Sequence, residues 1–247
     1  MRKAVLLLLI ACAPSESLLV AQNPAKPWTQ WSEGDAKKIL ENSPWAQRLL
    51  QIDAPQMFPN AGQYLIIPPG NPSYAHNQSL DGMTDAVNYY IRFLSAKPVR
   101  QALVRVAELD RQKADPDLLK RQRDFVESKF DEWIVISVVF TCRNQRYHQP
   151  VTQLFNDATS AKLRNRVFLE RNDGRRLYLE AYVVPGPDGL GARFMFPREV
   201  NGTPFITGKS KTARFYAALQ NSRASLPLVF DMRFTIADFR YEGVLEF

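Results

Sequence analysis

The chain has 247 residues, of which 45% are hydrophobic and 23% are charged, and its formal net charge is +7. This length is enough to bury a proper core, and the balance of apolar and charged residues excludes a wholly disordered chain. The positive charge favours contact with anionic material, but the basic residues are scattered among acidic ones and no nucleic-acid-reading motif accompanies them. We therefore expect a globular protein that binds no nucleic acid.

The first 22 residues have the pattern of an export signal. Two basic residues precede an apolar run over residues 4–11 that is too short to span a bilayer. Two cleavage positions compete: a lipobox ends at Cys12, which would become a lipidated first residue, whereas cleavage near Gln22 would release a soluble product. Both routes predict an exported protein, located in the periplasm or held at a membrane only through a lipid anchor.

A spacer with two prolines follows over residues 23–30, and the best-punctuated helix signal of the chain comes directly after it. Ser32 is a good N-cap, and Asp35 stands three residues later, as in a capping box. Three tryptophans surround this short helix: Trp28, Trp31 and Trp45. Since a helix this short is not stable alone, we expect these side chains to dock it on a larger body, rather than to form an aromatic platform for a ligand.

The same region and the end of the chain carry a resemblance. Residues 31–46 have the pattern W-S-x-x-D-A-x-x-I-L-x-x-S-P-W-A, and residues 234–247 have the pattern F-x-I-x-D-F-x-Y-x-G-x-L-E-F. The two segments resemble a group of uncharacterised exported bacterial proteins, best represented in acidobacteria. The resemblance covers only the two ends of the chain. It implies an envelope location and transfers no catalytic residue.

Residues 31–247 predict a single α+β domain. The segment 53–84 contains five prolines and predicts a long irregular insertion. A strand is expected before it at 46–52. After it we expect a strand at 87–94, a helical pair at 98–130 and a buried central strand at 133–141, which is rich in β-branched residues and too short to cross a membrane.

The second half of the chain is rich in strand signals. After a short helix at 151–157, strands are expected at 163–170, 176–184, 192–196, 213–219, 228–236 and 241–247. The pair Asp173-Gly174 indicates a type I′ hairpin, and its register pairs Phe168 with Leu179. The expected fold class is α+β: an antiparallel sheet or sandwich with a helical pair and a short N-terminal Trp-rich helix.

The sequence carries no recognisable catalytic, cofactor-binding or metal-binding signature. Its two histidines stand too far apart in the chain for a His-rich zinc site, and the glycines of 186–191 precede a strand rather than a helix that could bind phosphate. Cys142 ends an apolar run, which indicates an inert thiol. Glu170 and Glu180 fall on opposite faces of the predicted hairpin, which argues against a shared hydrolytic site.

The function that fits these observations best is a non-enzymatic binding or structural module of the envelope, which takes no cofactor and whose sheet binds an envelope protein or an anionic envelope polymer. Two alternatives stay open: an extracytoplasmic hydrolase that uses carboxylates, and a carrier of an apolar ligand inside a curved sheet. Converging acids with perturbed pKa values would favour the hydrolase, and a hollow interior would favour the carrier.

Overall fold

The structure, a computed structural model, describes residues 26–61, 85–110 and 116–247. The helices are α1 (Glu33–Glu41), α2 (Ala54–Met57), α3 (Lys97–Leu109), α4 (Pro116–Glu127), α5 (His148–Asn156) and α6 (Ser160–Leu163). The strands are β1 (Ala46–Gln51), β2 (Val87–Phe93), β3 (Trp133–Cys142), β4 (Val167–Arg171), β5 (Arg176–Tyr178), β6 (Ala181–Val183), β7 (Ala192–Pro197), β8 (Glu199–Val200), β9 (Thr203–Pro204), β10 (Thr212–Leu219), β11 (Leu228–Thr235), β12 (Arg240–Tyr241) and β13 (Val244–Leu245). The predicted export signal with Cys12 and Gln22, and most of the predicted insertion, lie outside the described residues.

The longer strands build two antiparallel sheets that pack face to face. Sheet A has the order β1-β2-β3-β7-β6, and sheet B has the order β11-β10-β4-β5. Aromatic rings cross the space between them, as Phe93 and Phe234 do with centroids 4.9 Å apart. At one side of the sandwich, the side-chain amide of Gln47 in β1 donates to the backbone carbonyl of Arg233 in β11 (2.7 Å). The predicted α+β class with an antiparallel sandwich is confirmed.

The sequence of β10 and β11 explains why sheet B is two-faced. In both strands buried and more exposed residues alternate along the whole length. Successive side chains of a strand point to opposite faces, so this alternation commits one face to the core and the other to solvent. The central strand of sheet A is β3, as its continuous run of β-branched residues predicts.

The β4–β5 hairpin has a register that differs by one residue from the predicted one. Its loop contains three residues, 172–174, because the N–H of Arg171 donates to the carbonyl of Arg175 (3.0 Å). The last loop residue, a glycine, has a φ of +80°, as in a turn followed by a left-handed bulge residue rather than in a type I′ turn. Phe168 therefore lies opposite Tyr178, and the two side chains share one face.

The predicted strand at 176–184 is wrong as a single strand of one sheet. The N–H of Leu179 donates to Val167 in sheet B (3.1 Å), whereas the N–H of Glu180 donates to Met195 in sheet A (3.0 Å). The extended chain thus leaves one sheet and enters the other within two residues. This crossing closes the second side of the sandwich.

Three smaller differences concern element boundaries. Residues 160–163 form α6, so β4 begins at residue 167 rather than 163. The predicted last strand is instead a separate hairpin of β12 and β13, because Glu242 and Gly243 both have positive φ and turn the chain. The described start of the predicted insertion contains the one-turn helix α2. The expected helical pair is α3 and α4, and among the described residues no helix is long and apolar enough to cross a membrane.

The Trp-rich helix α1 begins with the predicted capping box. The hydroxyl of Ser32 accepts from the N–H of Asp35 (3.1 Å), and the Asp35 carboxylate accepts from the N–H of Ser32 (2.8 Å). These bonds hold the pKa of Asp35 at about 2, below its ordinary value, and Lys26 adds to the effect. Two amides that would otherwise lack a partner at the helix start are therefore satisfied.

The tryptophans around α1 differ in how far their side chains are buried. Trp45 is fully buried and its indole N–H donates to the carbonyl of Glu246 (2.7 Å), while its ring packs beside Tyr241. Trp31 is buried, and its carbonyl accepts from the guanidinium of Arg105 in α3 (2.7 Å). Trp28 is only half-buried. The start of the folded body is thus fastened to α3 and to the C-terminal hairpin.

We expect Trp45→Ala to lower the free energy of unfolding by about 3–5 kcal/mol, because it leaves a large cavity and an unpaired carbonyl. Guanidinium unfolding followed by circular dichroism measures this change. Trp28→Ala is the matched control, and its effect should be clearly smaller because that ring is half-buried. Equal losses in the two variants would contradict the anchoring role of Trp45.

Candidate binding surface on sheet B

The outward face of sheet B carries three aromatic side chains in a row. Strand pairing places Phe168 of β4 between Tyr178 of β5 and Tyr216 of β10. The Phe168 ring stacks on Tyr216 with centroids 5.0 Å apart and meets Tyr178 edge to face at 6.0 Å. Neighbouring strands lie about 4.8 Å apart, so the row extends over about 10 Å. We call these three residues the aromatic row.

The aromatic row is open to solvent at its ends and covered at its centre. Tyr178 is 45% exposed and Tyr216 is half-buried, but Phe168 is only 7% exposed although it points away from the core. Its cover includes a cation, since the guanidinium carbon of Arg176 lies 4.3 Å from the centroid of the Phe168 ring. Arg214 lies over the Tyr216 ring at 5.5 Å. Cation–π attraction and packing of the side-chain stems hold both arginines over the row.

The same two arginines belong to a chain of ion pairs beside the aromatic row. Arg176 contacts Glu170 (2.6 Å), and Glu170 contacts Arg214 (3.4 Å). Arg214 also binds Asp231 with two nitrogens, at 2.6 and 2.7 Å. We call these four residues the ion-pair chain. It runs across all four strands of sheet B, so each strand contributes one charge to it.

The ion-pair chain keeps its carboxylates ionised. The hydrogen bond from Arg176, followed by that from Arg214, lowers the pKa of Glu170. The hydrogen bond from Arg214 lowers the pKa of Asp231 and raises that of Arg214 itself. The surface therefore presents fixed donors and fixed acceptors side by side at neutral pH.

Two further arginines extend the positive charge of this face. Arg166 is exposed directly before β4, and its carbonyl accepts from the N–H of Ala218 (3.2 Å), which continues the register of β4 and β10. It thus stands beyond the aromatic row, on the side away from the ion-pair chain. Arg233 is exposed on β11, opposite Arg214. Among the residues that the structure describes, four arginines and two acids therefore lie on this face, and their net charge is positive.

Among the residues it describes, the structure brings together none of those considered above as candidates for catalysis. Glu170 lies in the ion-pair chain, whereas Glu180 lies where the chain has entered sheet A, so the two acids share no site. Cys142 is half-buried and burial raises the pKa of its thiol, which opposes formation of a thiolate. Within residues 26–61, 85–110 and 116–247, no group of three or more His, Cys, Asp or Glu side chains is placed to hold a metal ion.

The predicted docking residues do not contribute to this surface. Trp28, Trp31, Ser32, Asp35 and Trp45 belong to α1 and its flanks, which contact α3 and the C-terminal hairpin. Sequence reasoning missed the aromatic row because the predicted hairpin register placed a leucine opposite Phe168. The strict alternation of β10, which puts Arg214 and Tyr216 in its less buried phase, was the signal that could have located Tyr216.

Comparison of the chain with models of protein families, with curated proteins and with solved structures found no match. The fold and the surface therefore define the class: an α+β sandwich protein with an outward face of tyrosine and paired arginine. The likeness of the two end segments to exported acidobacterial proteins stays a prediction.

We expect Arg214→Gln to raise the pKa of Asp231 toward its ordinary value, and that of Glu170 by less, because Glu170 keeps its stronger bond to Arg176. Carboxyl titration by NMR measures both. Since folding lowers these pKa values, the stabilisation they give is present above the ordinary carboxyl pKa and is lost as the pH falls through the lowered value. The stability difference between wild type and variant should therefore shrink in acid.

Arg48→Gln is the matched control on the outward face of sheet A, where Arg48 bonds Asn88 instead of an acid. It should leave both carboxyl titrations unchanged. An unchanged Asp231 titration in Arg214→Gln would show that the ion pair does not persist in solution.

Proposed function

We propose that the protein is an exported, non-enzymatic binding module of the bacterial envelope, and that it attaches to another envelope component through the outward face of sheet B. The observation that carries this proposal is the aromatic row with its ion-pair chain. Large side chains of this kind on a solvent-facing sheet surface are typical of binding sites, because tyrosine and arginine combine a broad contact area with polar groups.

The fixed positions of the arginine side chains on this face also support binding. Arg176 is held by Glu170 and by the Phe168 ring, and Arg214 is held by two acids and by the Tyr216 ring. Side chains that are already fixed lose little conformational entropy when a ligand arrives. A guanidinium that is held in this way still has further N–H donors for a partner, since it has five in total.

The geometry gives less support to a hydrolase. Among the described residues, every carboxyl group with a resolved pKa shift has a lowered pKa; they are Asp35, Asp157, Glu170, Asp173 and Asp231. A glycosidase needs one carboxyl group whose pKa is raised, so that it can donate a proton. Both acids of the ion-pair chain are held in the opposite state.

An apolar carrier is also less favoured. The space between the sheets is occupied by packed rings around Phe230, which lies 5.3 Å from Tyr89 and 6.5 Å from both Phe155 and Phe215, measured between centroids. These side chains belong to one continuous buried cluster. A ligand inside the sandwich would have to displace them.

The binding role can be tested by sedimentation with insoluble envelope material of the source organism. We expect the wild-type protein to sediment with it, and the double variant Tyr178→Ala/Arg176→Gln to lose about tenfold in affinity, which corresponds to about 1.4 kcal/mol. Tyr178 is 45% exposed and the Arg176 side chain 46% exposed, so both changes should preserve folding.

The matched control is Tyr90→Ala/Arg48→Gln on the outward face of sheet A, where the two residues lie opposite each other. It removes the same residue types and the same charge, and it should sediment like the wild type. If both double variants bind like the wild type, or both lose binding equally, the proposed surface is refuted.

Export has its own test, the mass of the mature N-terminus. We expect a chain that begins either with a diacylated Cys12 or near Gln22, according to which signal is processed. Recovery of the chain from its native host with residues 1–22 still attached would contradict the proposed location.

A further inference from the structure

We propose that the ligand of this face is an acidic polysaccharide, whose sugar rings pack on the accessible tyrosines at the two ends of the aromatic row while its carboxylates pair with the flanking arginines. The inference rests on the proposed binding role of the same face and assigns its ligand class. It follows from the shape of the row, from the pairing of its charges and from the surplus of arginine.

The two ends of the aromatic row suit a chain of sugar rings. A pyranose has an apolar C–H surface that packs against the face or edge of an aromatic ring, and its hydroxyl groups both donate and accept hydrogen bonds. The row extends over about 10 Å across the strands, enough to accommodate two successive sugar units. Tyr178 and Tyr216 stand at its two ends, and both add a phenolic hydroxyl beside their ring.

The ion-pair chain suits hydroxyl groups. Glu170 and Asp231 stay ionised and accept, while Arg176 and Arg214 donate, so donors and acceptors alternate along one line beside the aromatic row. A hydroxyl-rich ligand can use both kinds of group at once. A ligand that carries only negative charge would be repelled by the two carboxylates as it approached the arginines.

The surplus of arginine selects an acidic ligand over a neutral one. Arg166 and Arg233 are exposed on either side of the aromatic row, and no acid of the ion-pair chain contacts Arg166. The sequence has a net charge of +7, and removal of Arg2 and Lys3 with the proposed export signal still leaves at least +5 (7 − 2), which adds long-range attraction to an anionic polymer. Carboxylates spaced along a polysaccharide could reach arginines on both sides while its rings lie on the row.

A protein partner fits the face less well. Protein interfaces are centred on large apolar or aromatic anchors that enter desolvated pockets. Here the most apolar ring, Phe168, is only 7% exposed beneath Arg176, so the centre offers a flat and mostly polar surface. A protein partner is therefore the alternative that the following experiment separates from a polysaccharide.

Affinity electrophoresis of the folded protein with three soluble polymers separates the contributions. Polygalacturonate has sugar rings and carboxylates, its methyl ester has rings without charge, and polyglutamate has carboxylates without rings. We expect polygalacturonate to retard the protein at concentrations about tenfold below those needed for either of the others. Tyr178→Ala and Arg166→Gln should each weaken that retardation about tenfold, and Tyr90→Ala and Arg48→Gln should leave it within about twofold.

Equal retardation by polyglutamate would overturn the inference, because charge alone would then account for binding. Equal retardation by the methyl ester would overturn the acidic part of it, and unchanged binding by Tyr178→Ala would overturn the stacking. If polygalacturonate fails to bind while envelope sedimentation is still lost in Tyr178→Ala/Arg176→Gln, the ligand is of another class, such as a protein, and the binding role stands. If sedimentation is also insensitive to that variant, both proposals fail.

Discussion

The packing of aromatic rings between the two sheets is the interaction on which the rest of the molecule depends. Phe230 of sheet B touches Tyr89 of sheet A edge to face and stacks beside Phe155 of α5 and Phe215 of β10. Because buried side chains take every second position of β10 and β11, the positions between them point to the outward face. The aromatic row and the ion-pair chain occupy those outward positions, so the surface is a direct consequence of how the core is filled.

The arginines of this protein serve two purposes that a net charge does not distinguish. Arg100 is buried, and its guanidinium donates to the carbonyls of Val126 and Ser128, each at 3.2 Å, where α4 ends. Burial lowers its pKa to about 10, so it remains charged at neutral pH. Its N–H groups donate to backbone carbonyls. Arg176 and Arg214 are instead paired with acids on an open face. Arginines on the open face can meet a ligand, whereas the buried Arg100 cannot.

Patterns that depend on near neighbours were predictable from the sequence. The capping box at Ser32 needs only the spacing of two residues, and the two-faced strands and the central strand at 133–142 follow from alternation and from β-branched content. The hairpin register was not predictable in this way, because Asp173-Gly174 fits both a two-residue turn and the observed three-residue loop. The crossing after Tyr178 was hidden as well, since it is set by the pairing of residues 179 and 180 with different sheets.

The error of one residue in the hairpin had a functional cost, because register decides which side chains share a face. In the predicted register Leu179 stands beside Phe168, and the outward face has no third ring; in the structure Tyr178 takes that place and brings Arg176 beside Glu170. The three-residue loop therefore does more than join two strands. By shifting β5 one position it aligns an aromatic side chain and a cation with their partners on β4, and β10 continues both lines with Tyr216 and Arg214. Pairing of residue 172 with residue 175 across a two-residue turn would instead place Leu179 opposite Phe168 and dismantle the surface, so the loop is the point where fold and proposed function are joined.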